Sequence, residues 1–203
     1  MGSVWAAPGG EPLQQREAEP QASTIVDWRP GRSSAVTWTV LGTAVTVLGL
    51  GLFALPSVLQ AGPAGGTFDV RPLDIILVVT LTFLLVVAHE AIHGLAMLVV
   101  GARPEFGALL IGGAMPALYA TAAGQRFSRR KYLIVSAAPA VTVSALGFLA
   151  CLGPWAGYLI VPLAVHLGGC VGDAFAFWRT LREPAGTTCE DLRDGIRFHR
   201  PDD

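Results

Sequence analysis

Two histidines and a glutamate, His89, Glu90 and His93, have the spacing HExxH in this sequence of 203 residues. On a helix, residues four positions apart lie on one face, so the two imidazoles can bind a single zinc ion. The glutamate beside the first histidine can then act as a general base on a water molecule. The motif lies in an apolar run from Leu73 to Val100 that is long enough to cross a bilayer. The sequence therefore predicts hydrolytic metal chemistry at a depth where lipid is expected.

Ionisable side chains are rare in the apolar spans of the chain. Away from the span ends they are His89, Glu90, His93, His166 and Asp173. Charged groups inside a bilayer are costly, so such residues face the interior of a helix bundle and mark functional sites by default. His89 and Asp173 lie almost equally far along their spans, at roughly 25 Å from the outer end for a helical rise of 1.5 Å per residue. We therefore expect His89, His93 and Asp173 to bind one zinc ion and Glu90 to be catalytic.

Several neighbours of this site have more than one interpretation. Asp173 is alternatively a carboxylate that packs helices or relays protons. His166, on the same face two turns earlier, is a hydrogen-bond donor to the oxyanion or to a ligand, a ligand itself, or a polar contact within the bundle. Cys170 is interpreted as small packing surface rather than as a soft ligand. Gly168 and Gly172 have GxxxG spacing, which predicts close packing against the helix that carries HExxH.

The composition is typical of a polytopic membrane protein. Mean hydropathy is +0.53, 52% of residues are hydrophobic and only 14% are charged. A net charge of −1 gives no general argument for binding nucleic acid. The three cysteines are scattered without a CxxC pair, so a disulfide framework is not expected. No apolar segment follows Met1, which argues against a signal peptide.

Four apolar stretches predict an all-α polytopic membrane protein with about four transmembrane helices. The spans cover about residues 35–59, 73–100, 132–152 and 155–178, within a domain of residues 35–182. Residues 1–34 are expected to form a disordered cytosolic tail, and residues 183–203 a small cytosolic C-terminal tail. Between spans two and three, frequent Gly and Pro residues predict an interfacial hairpin or a re-entrant loop. A strand edge there either binds an unwound substrate segment or belongs to a hairpin that plugs the bundle.

Basic residues flank the spans on one side of the membrane. Arg29 and Arg32 precede span one, a basic cluster at residues 126–131 follows span two, and Arg179 and Arg182 follow span four. Lys and Arg are enriched in short cytoplasmic loops. We therefore expect four crossings with both termini in the cytosol.

The motifs together resemble the putative zincin peptidase family of small bacterial membrane proteins, which is similar to the site-2-type intramembrane zinc metalloproteases. HEAIHG, PEFG, GGCVGD and DGIRF carry the resemblance, which extends from about Pro72 to Pro201. It implies the bacterial cytoplasmic membrane, the same three zinc ligands and the same catalytic glutamate. In the site-2 group an Asn-Pro-Asp-Gly or Leu-Asp-Gly sequence typically surrounds the aspartate, whereas Asp173 stands in Val-Gly-Asp-Ala.

Three functions are compatible with these residues. The leading prediction is a membrane-embedded zinc metalloprotease with one zinc ion per chain, which hydrolyses peptide bonds of membrane-associated proteins near the cytosolic face. A second is a non-enzymatic metal-binding or metal/proton-conducting membrane protein that uses the same His and Asp residues. A third is a scaffold that holds partner helices through its glycine faces. The first is preferred because an intramembrane aspartate at matching depth accompanies the HExxH motif.

Overall fold

The computed structural model describes residues 23–61, 70–111 and 115–201. The helices are α1 (Arg32–Ala61), α2 (Pro72–Val99), α3 (Arg129–Ala150), α4 (Ala156–Gly169) and α5 (Val171–Leu181). Helices α4 and α5 follow each other with a break at Cys170 and form one apolar stretch, Ala156–Leu181. With that pair counted as one, the described residues contain four helices long and apolar enough to cross a membrane.

The strands form two separate antiparallel sheets. A four-stranded sheet has the order β1-β6-β5-β4 and consists of β1 (Ser23–Trp28), β6 (Gly195–Pro201), β5 (Thr188–Leu192) and β4 (Arg126–Ser128). A two-stranded sheet consists of β2 (Glu105–Ile111) and β3 (Met115–Thr121). In chain order it follows α2 and precedes α3, which is the segment where the sequence predicts a hairpin or a re-entrant loop.

The prediction of an all-α fold is wrong, because the structure also contains six strands in two antiparallel sheets among the described residues. Strand β1 lies in the 1–34 stretch predicted to be disordered, of which residues 1–22 are outside the described residues. Strands β5 and β6 lie in the 183–203 stretch predicted to be a small tail. These strands are short and partly polar, and β1 and β6 are stabilised by pairing with each other from opposite ends of the chain. Periodicity within each segment does not reveal such pairing.

A cluster of buried apolar side chains joins the four-stranded sheet to the helices. Phe127, Ile196 and Phe198 of the sheet belong to one cluster with Met97 of α2 and Val135 of α3. Burial of an apolar side chain of this size contributes about 1.5–3 kcal/mol. The cluster lies next to the HExxH turn of α2, so the sheet supports the region that carries the candidate site.

The backbones of α1 and α4 lie close together at two glycine residues, which have no side chain to keep them apart. A Cβ atom added to Gly42 would lie 2.9 Å from the carbonyl oxygen of Gly168, and one added to Gly168 would overlap Thr46. The closest approach of Gly168 is therefore to α1 rather than to the HExxH helix as predicted, and α4 packs against both α1 and α2. Gly172, the other member of the GxxxG pair, has Trp38 of α1 as its nearest neighbour.

Large apolar side chains cover the outward faces of the helices, including Leu48 on α1, Phe83 on α2 and Leu146 on α3. An apolar exterior of this extent matches a lipid environment. Strand β1 precedes α1, β4 precedes α3 and β5 follows α5. The four-stranded sheet therefore lies at one end of the helix bundle.

Candidate metal centre

Helix α2 places His89 and His93 one turn apart on one face, directed into the protein. Their ring centroids are 4.8 Å apart and the ring planes are inclined by 77°. His93 is buried, and His89 is half-buried beside it. The motif lies within the continuous helix, so a rigid backbone determines the relative position of the two rings.

The break at Cys170 begins a new helix and places Asp173 in the first turn of α5. A carboxylate there interacts favourably with the free backbone N–H groups and with the positive end of the helix dipole. Oδ2 of Asp173 lies 3.1 Å from Nε2 of His89, and Oδ1 lies 3.3 Å from Nε2 of His93. Three side chains from two helices therefore meet at one point.

A hydrogen bond behind His93 determines which of its nitrogens presents a lone pair. Nδ1 lies 2.9 Å from the carbonyl oxygen of Val135 and must donate, because a carbonyl oxygen only accepts. The neutral imidazole then presents the lone pair of Nε2 to the carboxylate of Asp173, 3.3 Å away. Two lone pairs at that distance repel unless a cation lies between them. The pair is therefore arranged for a metal ion or a proton.

The donor set of the site fits zinc. The ligand atoms of His89, His93 and Asp173 all lie within 4.8 Å of one another. Catalytic zinc sites have three protein ligands drawn from imidazole, carboxylate and thiolate, and keep a fourth position for water or substrate. The contact of His93 with the Val135 carbonyl is the kind of hydrogen bond that orients metal-binding histidines. The assignment of these ligands stays a prediction that the geometry permits.

His166 lies behind His89. Its Nε2 is 3.1 Å from Nδ1 of His89, and the two ring centroids are 5.1 Å apart. A hydrogen bond at this position orients His89 with Nε2 directed at Asp173. His166 itself is outside the group formed by His89, His93 and Asp173, and its predicted contact with the oxyanion stays a prediction.

Glu90 lies beside the metal site. Its Oε1 atom is 4.0 Å from Nε2 of His89, and its side chain is 17% exposed. A cavity of about 380 Å³ is lined by Glu90, His93 and Asp173. A second cavity, of about 490 Å³, is lined by His89, Glu90 and His166. The carboxylate of Glu90 therefore borders both cavities next to the three candidate ligands.

Strand β3 forms another wall of the 380 Å³ cavity through Leu118, Tyr119, Ala120 and Thr121. It pairs with β2 on one side, and among the described residues its other edge has no strand partner. The backbone N–H and C=O groups of such an edge can pair with an extended peptide. An edge of β3 without a strand partner among the described residues therefore borders the cavity that Glu90 lines.

Asp191 of β5 also lines the site, which the sequence did not indicate. It borders a cavity of about 70 Å³ together with His93 and Asp173. Tyr132 donates a hydrogen bond of 2.9 Å to Oδ1 of Asp191. Burial raises the pKa of the Asp191 carboxyl to about 6. In the sequence it is one acidic residue in a polar tail, and its position depends on the pairing of β5 with β4 and β6.

Comparison with known proteins identifies a family for this chain. The family described as putative zincin peptidase matches residues 82–188, which is more than half of the chain and includes the HExxH motif and Asp173. No curated protein and no solved structure matches the chain. The family predicted from the motifs is therefore confirmed, and it indicates a metallopeptidase that uses zinc. On this match, the chain belongs to the putative zincin peptidase family.

Proposed function

We propose that the protein is a membrane-embedded zinc metalloprotease that hydrolyses peptide bonds of membrane-associated proteins near the cytosolic face. One observation carries the proposal: His89, His93 and Asp173 meet beside Glu90 on helices long and apolar enough to span a membrane. A carboxylate and two imidazoles at such a depth are costly unless they have a function. The family supports the class of reaction.

His89, His93 and Asp173 would hold one zinc ion through two Nε2 atoms and a carboxylate. When bound, zinc polarises the carbonyl group of the scissile bond and makes water more acidic. The Val135 carbonyl and His166 hold the two histidine rings from behind. Both rings therefore keep Nε2 directed at Asp173, and little rearrangement is needed on binding.

Glu90 acts first as general base and then as general acid. Its carboxylate takes a proton from water as the water oxygen bonds to the carbonyl carbon of the substrate. It then gives that proton to the amide nitrogen as the C–N bond breaks, which yields a carboxylic acid and an amine. Its separation of 4.0 Å from Nε2 of His89 suits a proton carrier beside the ligands.

The proposed substrate is an extended segment of a membrane protein or a membrane-associated peptide. In a transmembrane helix nearly every carbonyl is hydrogen-bonded within the helix, so the segment must unwind before hydrolysis. The edge of β3 that has no strand partner among the described residues offers such a segment backbone partners beside Glu90. Exposed Phe106 and Leu110 on the paired strand β2 give the hairpin an apolar surface that tolerates lipid.

We also propose that the protein lies in the bacterial cytoplasmic membrane with both termini in the cytosol. The basic residues that flank the spans belong to the ends of the helices next to the four-stranded sheet. Under the positive-inside rule that end of the bundle faces the cytosol. Four crossings then leave both termini on this side.

A metal-binding or metal/proton-conducting protein is the second candidate. The observation that favours it is the position of Glu90 and Asp173, each of which borders both larger cavities. Ionisable residues that connect cavities within a membrane are typical of ion and proton paths. In this function the same side chains bind and release a cation without hydrolysis.

Cleavage of a model transmembrane substrate by purified, zinc-loaded protein in proteoliposomes tests the proposal. We expect Glu90→Gln to lower the rate by about 10²–10⁴-fold while the zinc content is unchanged. Glu105→Gln removes an exposed carboxylate from β2 and is the matched control, with an unchanged rate. Equal cleavage by wild type and Glu90→Gln would rule out the catalytic role. Zinc flux that survives Glu90→Gln but is lost in Asp173→Ala would favour the second candidate.

A further inference from the structure

The break between α4 and α5 brings a sulfur atom next to two imidazoles on the side of His89 that faces away from Asp173. Sγ of Cys170 lies 3.8 Å from Nδ1 of His89 and 3.8 Å from Nε2 of His166. Those two nitrogens are 3.1 Å apart. The group is distinct from the first one, because His89 contributes Nδ1 here and Nε2 there.

These distances match the edges of a tetrahedral metal site. With metal–nitrogen bonds of about 2.0–2.1 Å and metal–sulfur bonds of about 2.3 Å, tetrahedral angles put neighbouring ligand atoms roughly 3.3–3.6 Å apart. The separations of 3.1 and 3.8 Å lie within a few tenths of an ångström of that range. One thiolate with two imidazoles is a donor set that suits zinc and copper(I) rather than magnesium or calcium.

We propose that Cys170, His166 and Nδ1 of His89 form a second metal site, which takes a thiophilic ion such as Zn²⁺ or Cu⁺ and shares His89 with the HExxH site. His166 and Cys170 are only 5% and 4% exposed, so the ion would be enclosed by the protein. The 490 Å³ cavity borders both His89 and His166 and gives an ion access to them.

Binding at this site replaces protons. Without the ion, one proton lies between His89 and His166, and the Cys170 thiol donates to the His166 carbonyl oxygen over 3.2 Å. The ion takes the place of the proton between the rings and of the thiol proton, so binding releases protons and is weaker at low pH. Two cations that share one imidazole repel each other. An ion in either site therefore raises the free metal concentration that is needed to fill the other.

Sharing of His89 couples the two sites. An ion at Nδ1 replaces the hydrogen bond between His89 and His166 that orients His89 towards Asp173. Excess thiophilic metal should therefore inhibit peptide hydrolysis. This inhibition rests on the proposed function, whereas the existence of the second site does not.

Cobalt(II) titration of the full-length protein in detergent tests the site directly. The HExxH site contains only nitrogen and oxygen donors, so a sulfur-to-cobalt charge-transfer band in the near ultraviolet reports Cys170. We expect the band in wild type, its complete loss in Cys170→Ser, and its persistence in Cys151→Ser, a matched change at another buried cysteine. A wild-type protein without the band, or a band that survives Cys170→Ser, would overturn the proposal.

X-ray absorption at the zinc edge gives a test that needs no variant. Wild-type protein loaded with excess zinc and then freed of unbound metal should show a sulfur neighbour, and spectra with nitrogen and oxygen neighbours alone would contradict the site. The result is separable from the peptidase proposal. Protein that shows sulfur-bound zinc in excess metal but cleaves nothing when it carries one equivalent of zinc supports the second site and contradicts the protease. Protein that cleaves at one equivalent and shows no sulfur ligation in excess zinc does the reverse.

Discussion

Asp173 converts two histidines of one helix into a site with three ligands. His89 and His93 are neighbours because of helical periodicity alone. Asp173 comes from another helix and reaches them because α5 begins at the Cys170 break and packs mainly against α3. Its two oxygens lie 3.1 and 3.3 Å from the two Nε2 atoms. The metal centre therefore depends on tertiary packing at this one residue.

Asp173→Asn should weaken zinc binding by at least about 100-fold, because loss of a partner outside the ligand set already costs about 10–100-fold. The amide keeps the size of the side chain but lacks the negative charge and is a poor zinc ligand. Zinc affinity can be measured by competition with a chromophoric chelator. Asp194→Asn, at an exposed carboxylate that pairs with Arg29, is the matched control and should bind zinc as wild type does. Unchanged affinity in Asp173→Asn would mean that the third ligand is another residue.

The four-stranded sheet is the element that brings Asp191 to the site. Strand β5 lies between β4 and β6, and Asp191 faces His93 and Asp173 across a small cavity. The Tyr132 hydroxyl donates a hydrogen bond to its carboxyl group, but burial still raises the pKa to about 6. The sheet thereby adds a pH-sensitive group next to the metal centre.

Asp191→Asn should change how stability depends on pH in the metal-free protein. The folded pKa of about 6 exceeds the ordinary value of 3.8. The contribution of this group to stability is therefore fully present below about pH 4 and is lost as the pH rises through about 6. The variant lacks this loss, so its Tm in detergent should exceed that of wild type above pH 6, and this advantage should shrink towards pH 4. A Tm difference that is constant across this range would contradict the prediction.

The close packing of α1 against α4 leads to a prediction about stability. Gly168→Ala would place a Cβ atom against Thr46 and the carbonyl group of Gly42. Overpacking of this kind typically costs about 1–3 kcal/mol. Gly169→Ala is the matched control, because nothing lies within 4 Å of its Cβ position, and this variant should be as stable as wild type or slightly more stable. Chemical unfolding in mixed micelles compares the two, and equal stability would show that the helices are not tightly packed there.

On the scale of the whole molecule, membrane-type helices combine with a sheet that joins both ends of the described chain. The long helices and the hairpin between α2 and α3 could be read from the sequence, because apolar length and the frequency of Gly and Pro are local properties. The pairing of β1 with β6 could not, since paired residues such as Val26 and Phe198 lie near opposite ends of the chain and no local pattern connects them. The fold class was missed for this reason.

Some residues of the candidate site could likewise be predicted from the sequence, and others could not. Histidine and carboxylate side chains within apolar spans are conspicuous in a sequence, so His89, Glu90, His93 and Asp173 could be proposed before the structure. Asp191 could not be proposed, because its position depends on a sheet without a local signal. Cys170 was visible but had the ordinary interpretation of a small packing residue, and only its distances to His89 and His166 suggest a ligand.

Removal and restoration of zinc tests the central claim most directly. Purified wild-type protein is stripped with a chelator, reloaded with one equivalent of zinc and assayed for cleavage of a transmembrane substrate, next to Glu90→Gln loaded to the same zinc content. We predict that the stripped wild type is inactive, that one equivalent restores cleavage, and that Glu90→Gln stays inactive with its zinc bound. Cleavage by the stripped protein, or equal cleavage by zinc-loaded Glu90→Gln, would contradict the account.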